Sequence, residues 1–521
     1  MAADVWVPPG SRLVVEPGTR ILFLEAPSTK TEPVFWQPGT ELAVGGTLEV
    51  RGEPGRPVLF EGEGAWGGIV AAPGGRVKLS HARIRGAREG LLCVGAECEL
   101  RQVRIRDADY GLVSGPGARV TAVGSVAESC RVGALEAGSR VEGSWAVRSP
   151  EDAGRLEVPG PARTAVPVAL PPAEPPRVEY VGEYTVGRPE TWKGEVIVTG
   201  RVTVAPEAVL TLRPGTRVRF RRVDTNGDGL GEGELLVLGG IRSLGAPDRP
   251  VVFESAEEDP RPGDWDKVSL IAAEYPDNRF RYTVFRHGVQ ALHAHFSRFE
   301  ADSCLFADNL RAVQFQESDR ARIVGSVFVR NKQALRFRDS VVEVLGNRLW
   351  GNLYGIHAFR ADLRCEGNLV EGSPLGSFLA KESRVEFVGN RIGAGRDGAR
   401  MKDPDSRAQI RDNRIEGVAE DALSLSRVEA VIEGNLLDRA GLDLVGLEAG
   451  RVVLRRNRFG RSGRHAIHLK GGADVDARGN FWNGSPPARI HDREDDPLLG
   501  RVFWRPALEE PPPVPSGALP W

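Results

Sequence analysis

The stretch DSVVEVLGNRLWGNLYGIHAFR, residues 339–360, decides the fold. It holds three short apolar runs separated by Gly and Asn, and apolar and polar residues alternate within the runs. An alternation with a period of two residues indicates β-strands, and no helical stripe lies between them. The same design recurs at 361–382 and again at 383–404, so the chain is built from repeats of about 22 residues.

An Asn in front of an apolar pair marks each repeat, in steps of 21 to 23 residues. It is present at Asn347, Asn368, Asn390, Asn413, Asn435, Asn457 and Asn480. Going backwards at the same step, Ser326, Cys304 and Thr283 hold the position. An Asn at a fixed inward turn can donate and accept amide hydrogen bonds up and down a stack of coils. We therefore expect the Asn residues to have a structural role and no chemical one.

The length of the repeat narrows the fold class. About 22 residues are too few for helix-pair repeats, and the pattern of leucine-rich repeats is missing. Three short strands and three turns in each repeat predict an all-β fold, a right-handed parallel β-helix, which is a solenoid with coils about 4.8 Å apart.

An internal duplication predicts two such solenoids in tandem. LVVEPGTRILF at 13–23 matches LTLRPGTRVRF at 210–220, and Trp66 and Trp265 are separated by nearly the same interval. We expect a short N-terminal β-helical domain at 1–157, a Pro-rich linker at 158–177, a long C-terminal β-helical domain at 178–506 and a Pro-rich tail at 507–521.

The opening of the second copy, TWKGEVIVTGRVTVAPEAVLTLRPGTRVRF (191–220), and its close, RGNFWNGSPPARIHDREDDPLLGRVFWRP (478–506), carry a family resemblance. They resemble bacterial secreted and cell-surface members of the pectin-lyase-like superfamily of right-handed β-helices. The resemblance implies an extracellular, cell-surface or periplasmic protein, although no leader follows Met1. The fold hosts lyases, hydrolases, epimerases, binding proteins and inert rods, so function has to come from a site.

Composition excludes several classes of protein. The net charge of −2 argues against a chain-wide basic nucleic-acid binder. No stretch approaches the roughly 18 consecutive apolar residues of a transmembrane helix. Five cysteines are too few and too scattered for a disulfide scaffold, so we expect buried free thiols, with Cys93 and Cys98 able to pair if oxidised.

The strand that follows the Asn turn predicts a ligand-binding face. Its apolar members point inward, and the residues between them point outward in two columns. The first column is His293, Gln314, Arg336, His357, Leu379, Arg400, Ser424, Gly446 and His468. The second is His295, Gln316, Arg338, Phe359, Lys381, Lys402, Ser426, Glu448 and Lys470. The two columns hold four of the eight His of the chain, three Arg and three Lys. Their single acidic residue is Glu448.

A groove lined in this way suits an extended polyanion, because Arg pairs with carboxylates through two hydrogen bonds and His can titrate near neutrality. The predicted function is a secreted or cell-surface protein that binds extended, acidic polysaccharide. Its partner is a polysaccharide or another component of the cell envelope, and no nucleic acid. The ligand-binding residues we expect are His293, His295, Gln314, Gln316, Phe359, His468 and Lys470.

Two alternatives stay open. One is a structural or adhesion rod of the cell surface with no glycan ligand. The other is an enzyme, either a polysaccharide lyase or uronate epimerase, which needs a cation and a base, or a glycoside hydrolase, which needs two carboxylates. Its candidate catalytic residues are Arg336, Arg338, His357, Lys381, Arg400, Lys402, Asp403 and Asp405.

The segment VDTNGDGLGEGEL, residues 223–235, predicts a structural calcium site. Asp224, Asn226 and Asp228 fit positions 1, 3 and 5 of a calcium loop. The pattern then departs from that loop, with Glu232 and Glu234 as the nearby acids. The alternative is a Gly- and Asp-rich surface loop, and no other cofactor is expected.

Overall fold

The computed structural model describes residues 3–25, 36, 39–148, 154–158, 175–483 and 489–515. All regular structure in these residues is β-strand, and every pairing between named strands is parallel. Among them there is accordingly no helix long and apolar enough to cross a membrane. Contacts divide the chain into two compact units, 1–160 and 161–521.

The first unit winds through three faces of parallel strands, and its longer strands span two faces. Its strands are Val5–Val7, Arg12–Val15, Arg20–Leu24, Glu41–Val44, Thr47–Arg51, Val58–Ala71, Arg76–Ser80, Ala82–Cys93, Glu97–Arg101, Arg104–Arg106, Tyr110–Ser114, Arg119–Glu128, Val132–Ala137, Val141–Arg148 and Arg155–Val158.

The second unit also has three faces, and we call the one with the predicted columns the stripe sheet. It opens on Arg177–Val186 and Glu195–Val204, each of which spans two faces. The stripe sheet continues through Glu234–Val237, Trp265–Ile271, Gly288–His295, Arg311–Gln316, Gln333–Arg338, Tyr354–Phe359, Gly376–Lys381, Ala399–Arg411, Leu423–Glu433, Val445–Leu447, Ile467–Leu469 and Ile490–His491.

The second sheet follows the stripe sheet along the chain, and the ends of Ala399–Arg411 and Leu423–Glu433 belong to it. Its other strands are Glu190–Trp192, Val209–Leu212, Gly240–Leu244, Arg279–Arg281, Phe299–Asp302, Ala321–Val324, Val341–Leu345, Asp362–Glu366, Arg384–Val388, Val452–Arg455, Val475–Asp476 and Val502–Phe503.

The third sheet completes each coil with short strands. They are Arg217–Phe220, Val251–Ser255, Thr283–Arg286, Leu305–Ala307, Val327–Val329, Arg348–Trp350, Leu369–Glu371, Arg391–Gly393, Arg414–Val418, Leu436–Ala440, Arg458–Phe459 and Phe481–Trp482. The strand directly after the Asn turn therefore belongs to this sheet, and the stripe strand is the next one, which corrects the predicted order.

Inward residues of the same kind stack from coil to coil and fill the core. Phe253, Phe285, Phe306 and Phe328 form one such stack, with ring centroids 4.8–5.0 Å apart and planes within 7° of parallel. The spacing of the rings matches the distance between hydrogen-bonded strands, so each ring packs on the next without leaving a void.

The predicted Asn ladder is confirmed. From Asn347 to Asn457, each buried side chain donates its Nδ2 to the Oδ1 of the next Asn, at 2.9–3.1 Å. Each Nδ2 also donates to a backbone carbonyl, as that of Asn347 does to Ile323 at 2.8 Å. The ladder therefore satisfies polar groups that the turns would otherwise leave buried and unpaired.

A second ladder was not predicted. Asn309 donates to Asn331 and Asn331 donates to Asn352, both at 2.9 Å, in the turn between the third sheet and the stripe sheet. Its three members repeat at the same interval as the first ladder, which is the signal that could have revealed it.

The cysteines and the segment boundaries differ in part from expectation. Cys93 and Cys98 form a disulfide, so the expectation of a free thiol is wrong for this pair, whereas Cys130, Cys304 and Cys365 are buried free thiols. Strands run to residue 158 and from residue 177, and most of the expected linker at 158–177 lies outside the described residues. The expected tail at 507–521 begins on the last coil, where the amide of Leu508 donates to the carbonyl of Asn480 at 2.9 Å.

Candidate functional site

The stripe sheet places the two predicted columns in register. Backbone pairing aligns His293 with Gln314, Arg336, His357, Leu379, Arg400, Ser424, Gly446 and His468. The second column aligns in the same way from His295 through Gln316, Arg338, Phe359, Lys381 and Lys402 to Ser426. The intervening apolar residues, such as Leu335 and Ile356, are fully buried.

Two cations contact an aromatic ring in the middle of this sheet, and two more lie in the same column as the ring. The guanidinium of Arg336 lies 5.0 Å from the ring centroid of Phe359, and the ammonium of Lys381 lies 5.6 Å from it. Arg338 lies one coil before Phe359 in the same column, and Lys402 lies two coils after it. We call Arg336, Arg338, Phe359, Lys381 and Lys402 the cationic platform. It combines a flat apolar surface with positive charge that cation–π contacts hold in place.

Glutamine and histidine continue the columns above the platform. Arg338 donates its Nε to Gln316 Oε1 at 2.9 Å, and Gln316 Nε2 lies 2.5 Å from His295 Nδ1. The rings of His293 and His295 are 4.6 Å apart between centroids. This part of the sheet therefore offers hydrogen-bonding groups in continuous contact with the cations below it.

His293 and His357 are neutral at physiological pH. Burial, together with the nearby Arg336, Arg311 and Lys381, lowers the pKa of His357 to about 3. Burial and the neighbouring His295, Lys267 and Arg311 likewise lower the pKa of His293 to about 3, and burial also lowers the pKa of His295. The expectation that these side chains titrate near neutrality is therefore wrong for His293 and His357, which act here as neutral hydrogen-bonding groups.

Arg400 is turned towards buried acids. Its Nε lies 2.5 Å from Asp397 Oδ2, and an Nη donates to Glu420 Oε2 at 2.7 Å. Glu420 also accepts from Arg396 Nε at 2.9 Å, and the side chain of Glu420 is only 2% exposed. Two guanidiniums thus share one buried carboxylate, which makes this network structural support for the sheet.

Asp403 and Asp405 lie within Ala399–Arg411, at the irregularity where this strand passes from the stripe sheet to the second sheet, and both have a positive φ, of 78° and 68°. Asp403 accepts a hydrogen bond from Arg427 at 2.8 Å, and Asp405 is exposed. The two acids therefore border the stripe sheet at its edge, and the outward columns themselves hold the cations and the histidines.

A column of acids in the turn before the stripe strand was missed. Asp397, Asp421 and Asp443 occupy equivalent places in successive coils, and His465 occupies the next. An alignment of the turns GRDGA, AEDAL, GLDLV and GRHAI reveals this column, whereas an alignment of the strands alone does not. Burial raises the pKa of Asp397 and raises that of Asp421 to about 6, although Lys470 lies 3.9 Å from Asp421.

Asp443 bridges two imidazoles at the C-terminal end of the column. Its Oδ1 lies 3.0 Å from His465 Nδ1, and its Oδ2 lies 2.7 Å from His468 Nδ1. Burial acts to raise the pKa of Asp443, but the hydrogen bonds with the two imidazoles outweigh it and lower that pKa. Burial lowers the pKa of His465 in spite of Asp443.

The predicted calcium loop folds around its own carboxylates. Asp224 accepts hydrogen bonds from the amides of Gly227 and Gly229 at 2.8 and 3.0 Å, and Glu232 accepts from the amide of Thr225 at 3.0 Å. Asn226 Oδ1 and Asp228 Oδ1 accept from amides two residues further on, each at 2.8 Å.

Glu234 does not take part in this loop. It is buried in the stripe strand, where its carboxylate accepts from Arg201 Nε at 2.8 Å. The remaining four residues, Asp224, Asn226, Asp228 and Glu232, lie together, and a structural calcium ion among them stays a prediction of the sequence.

The fold is that of a right-handed parallel β-helix, consistent with the pectin-lyase-like superfamily. Residues 338–482 match the family model described as "Right handed beta helix region". Among curated proteins no match to the chain is found.

Solved structures similar to the chain include the periplasmic alginate epimerase AlgG, at 13% identity, with 60% of this chain and 77% of that chain covered and a TM-score of 0.31. Two single-substitution mutants of the same epimerase match over the same shares of each chain, at 13% and 12% identity with TM-scores of 0.32 and 0.29. These similarities concern the fold.

Proposed function

We propose that the protein binds an extended, acidic polysaccharide along the stripe sheet. The observation that carries this proposal is the cationic platform, which spans four consecutive coils. Arg336 and Arg338 lie on one strand, Phe359 on the next, and Lys381 and Lys402 on the two that follow. Cations that repeat with the coils suit a polymer of repeating charged units better than a single small ligand. Such polymers belong to the cell envelope, so an extracellular, cell-surface or periplasmic location is part of the same proposal.

Each kind of side chain in the site has a part in this binding. The guanidiniums of Arg336 and Arg338 pair with uronate carboxylates, and the lysine ammoniums add charge that steers the polymer to the sheet. Phe359 packs against the apolar face of a sugar ring. His293 is buried beneath the surface of the sheet. The neutral imidazole of His357 and the amides of Gln314 and Gln316 bind hydroxyl groups, because each can donate as well as accept hydrogen bonds.

Removing the two arginines together, Arg336→Ala with Arg338→Ala, is expected to weaken the binding of a uronate polymer by at least about 100-fold at low salt, because each arginine loses a charge-assisted hydrogen bond of about 1.5–3 kcal/mol. The loss should shrink as salt screens the charges. Titration calorimetry with size-fractionated oligouronates measures both effects.

The matched control is Arg384→Ala with Arg407→Ala, which removes the same charge from exposed side chains of the second sheet. If both double variants weakened polymer binding equally, the effect would come from net charge alone, and this result would contradict the proposal. If the wild-type protein bound no polymer of a broad glycan panel, polysaccharide binding would be wrong. The alternative of a structural or adhesion rod without a glycan ligand would then be favoured.

Between pH 7.5 and pH 5.5, at constant ionic strength, His357 is expected to change the affinity for the polymer by less than about twofold. With its pKa lowered to about 3, His357 takes up a proton only well below this range, so it adds no positive charge to the site. The variant His357→Gln should therefore show the same pH profile as the wild type. If the affinity of the wild type rose towards pH 5.5 and His357→Gln abolished this rise, His357 would not be neutral in this range.

A further inference from the structure

Three of the eight histidines of the chain meet at the C-terminal end of the stripe sheet, beyond the cationic platform. The ring centroids of His465 and His468 are 4.8 Å apart. The ring of His491 lies 5.3 Å from that of His465 and 4.9 Å from that of His468. The cationic platform does not include these imidazoles, although the sequence predicts His468 as one of the residues that bind the polymer.

A buried carboxylate fixes the geometry of the group. Both oxygens of Asp443 contact imidazole nitrogens, at 3.0 Å from His465 Nδ1 and 2.7 Å from His468 Nδ1. The amide of His465 donates to Asp443 Oδ1 at 3.1 Å, and the amide of Asp443 donates to Asp421 Oδ1 at 3.3 Å. His468 lies on a stripe strand, and Asp443 and His465 lie in the turns directly before stripe strands that pair in parallel, so the group is organised before any ligand arrives.

We propose that Asp443, His465 and His468 form a binding site for a divalent transition-metal ion of the Zn²⁺ class, with the neighbouring His491 as a further ligand. The potential ligand atoms of the first three residues all lie within 4.8 Å of one another. Ligands that bind one Zn²⁺ at about 2.0–2.2 Å are themselves about 3–3.5 Å apart in a tetrahedron, close to the contacts that Asp443 already makes.

The exposure of the side chains allows a metal ion to reach this site. The side chain of Asp443 is 4% exposed, whereas those of His465 and His468 are 26% and 21% exposed, so an ion can enter from the imidazole side. On binding, each imidazole ligates the metal in its neutral form through a nitrogen without a proton, and its single proton stays on the other ring nitrogen.

The set of donors selects among cations. Imidazole with a carboxylate suits Zn²⁺, Cu²⁺, Ni²⁺ and Fe²⁺, whereas Ca²⁺ and Mg²⁺ prefer sets made only of oxygen ligands. This site is therefore distinct in its chemistry from the loop of Asp224, whose donors are all oxygens.

The test uses the full chain, stripped of metal with a chelator and dialysed, and titrated by calorimetry with Zn²⁺ alone. We expect one ion to bind per chain, with affinity at least about 100-fold weaker in the double variant His465→Ala with His468→Ala. The control variant His81→Asn, in the first unit, should bind as the wild type does. Co²⁺ used as a second probe should show the visible absorption bands of a low-symmetry site in the wild type only.

A third variant and a competitor complete the test. Asp443→Asn is expected to weaken Zn²⁺ binding by at least about 10-fold while circular dichroism shows a folded β-protein. Zn²⁺ should raise the melting temperature of the wild type but not that of the His465→Ala, His468→Ala variant. Unchanged Zn²⁺ affinity in that double variant, or displacement of Zn²⁺ by a hundredfold excess of Ca²⁺, would overturn the proposal.

Discussion

Replacing Glu420 by Ala is expected to lower the free energy of unfolding of the second unit by about 3–5 kcal/mol. Glu420 accepts hydrogen bonds from Arg396 Nε at 2.9 Å and from an Nη of Arg400 at 2.7 Å. The side chain of Arg396 is 9% exposed, so the substitution leaves most of a guanidinium buried without its carboxylate. Urea unfolding followed by circular dichroism measures the loss.

The control for Glu420 is a glutamate of the second sheet in an exposed ion pair. Glu429 lies 3.5 Å from Arg407, and the two side chains are 64% and 65% exposed. Glu429→Ala should cost less than about 1 kcal/mol, because water and salt screen such a pair. A similar cost for both substitutions would show that burial of the network contributes nothing to its stability.

Replacing Asn390 by Ala is expected to cost about 3–5 kcal/mol of unfolding free energy, because several buried groups lose their hydrogen-bond partners at once. Asn390 Oδ1 accepts from the amide of Asn368 at 3.0 Å and from its Nδ2 at 2.9 Å. Asn390 Nδ2 donates to the carbonyl of Cys365 at 2.9 Å and to Asn413 Oδ1 at 3.1 Å. Urea unfolding again measures the cost.

The chain itself supplies the conservative variant for this position. Ser326 stands in the same ladder, where its Oγ accepts from the amide of Cys304 at 3.1 Å. Asn390→Ser keeps one acceptor for the amide of Asn368 and should cost about half as much as Asn390→Ala. The ladder would be dispensable if Asn390→Ala cost less than about 1 kcal/mol.

Much of the fold could be predicted from the sequence, because one local rule repeats many times. In a strand with a period of two, only one register buries every apolar residue, so aligning Leu335 with Ile356 also aligns Arg336 with His357. The second ladder of Asn309, Asn331 and Asn352 was overlooked because it has only three members, beside a longer and more regular one.

The candidate site could be predicted only in part. The outward columns follow from alternation, but the ionisation of their members does not. His357 and His293 lose their charge through burial and neighbouring cations, and neither is visible in a single strand. The acids Asp397, Asp421 and Asp443 lie in turns, and a turn residue is buried or exposed according to how the chain folds over it.

The stacking of like residues in register has a consequence for how this molecule can change over evolutionary time. Because each coil packs mainly on its two neighbours, a whole repeat can be gained or lost while the remaining ones still match. Loss of residues 361–382, for example, would bring Asn347 next to Asn390, with the same pairing partners on both sides. The length of the stripe sheet is thus set by the number of coils, and duplication or deletion of DNA can change that number by one coil at a time.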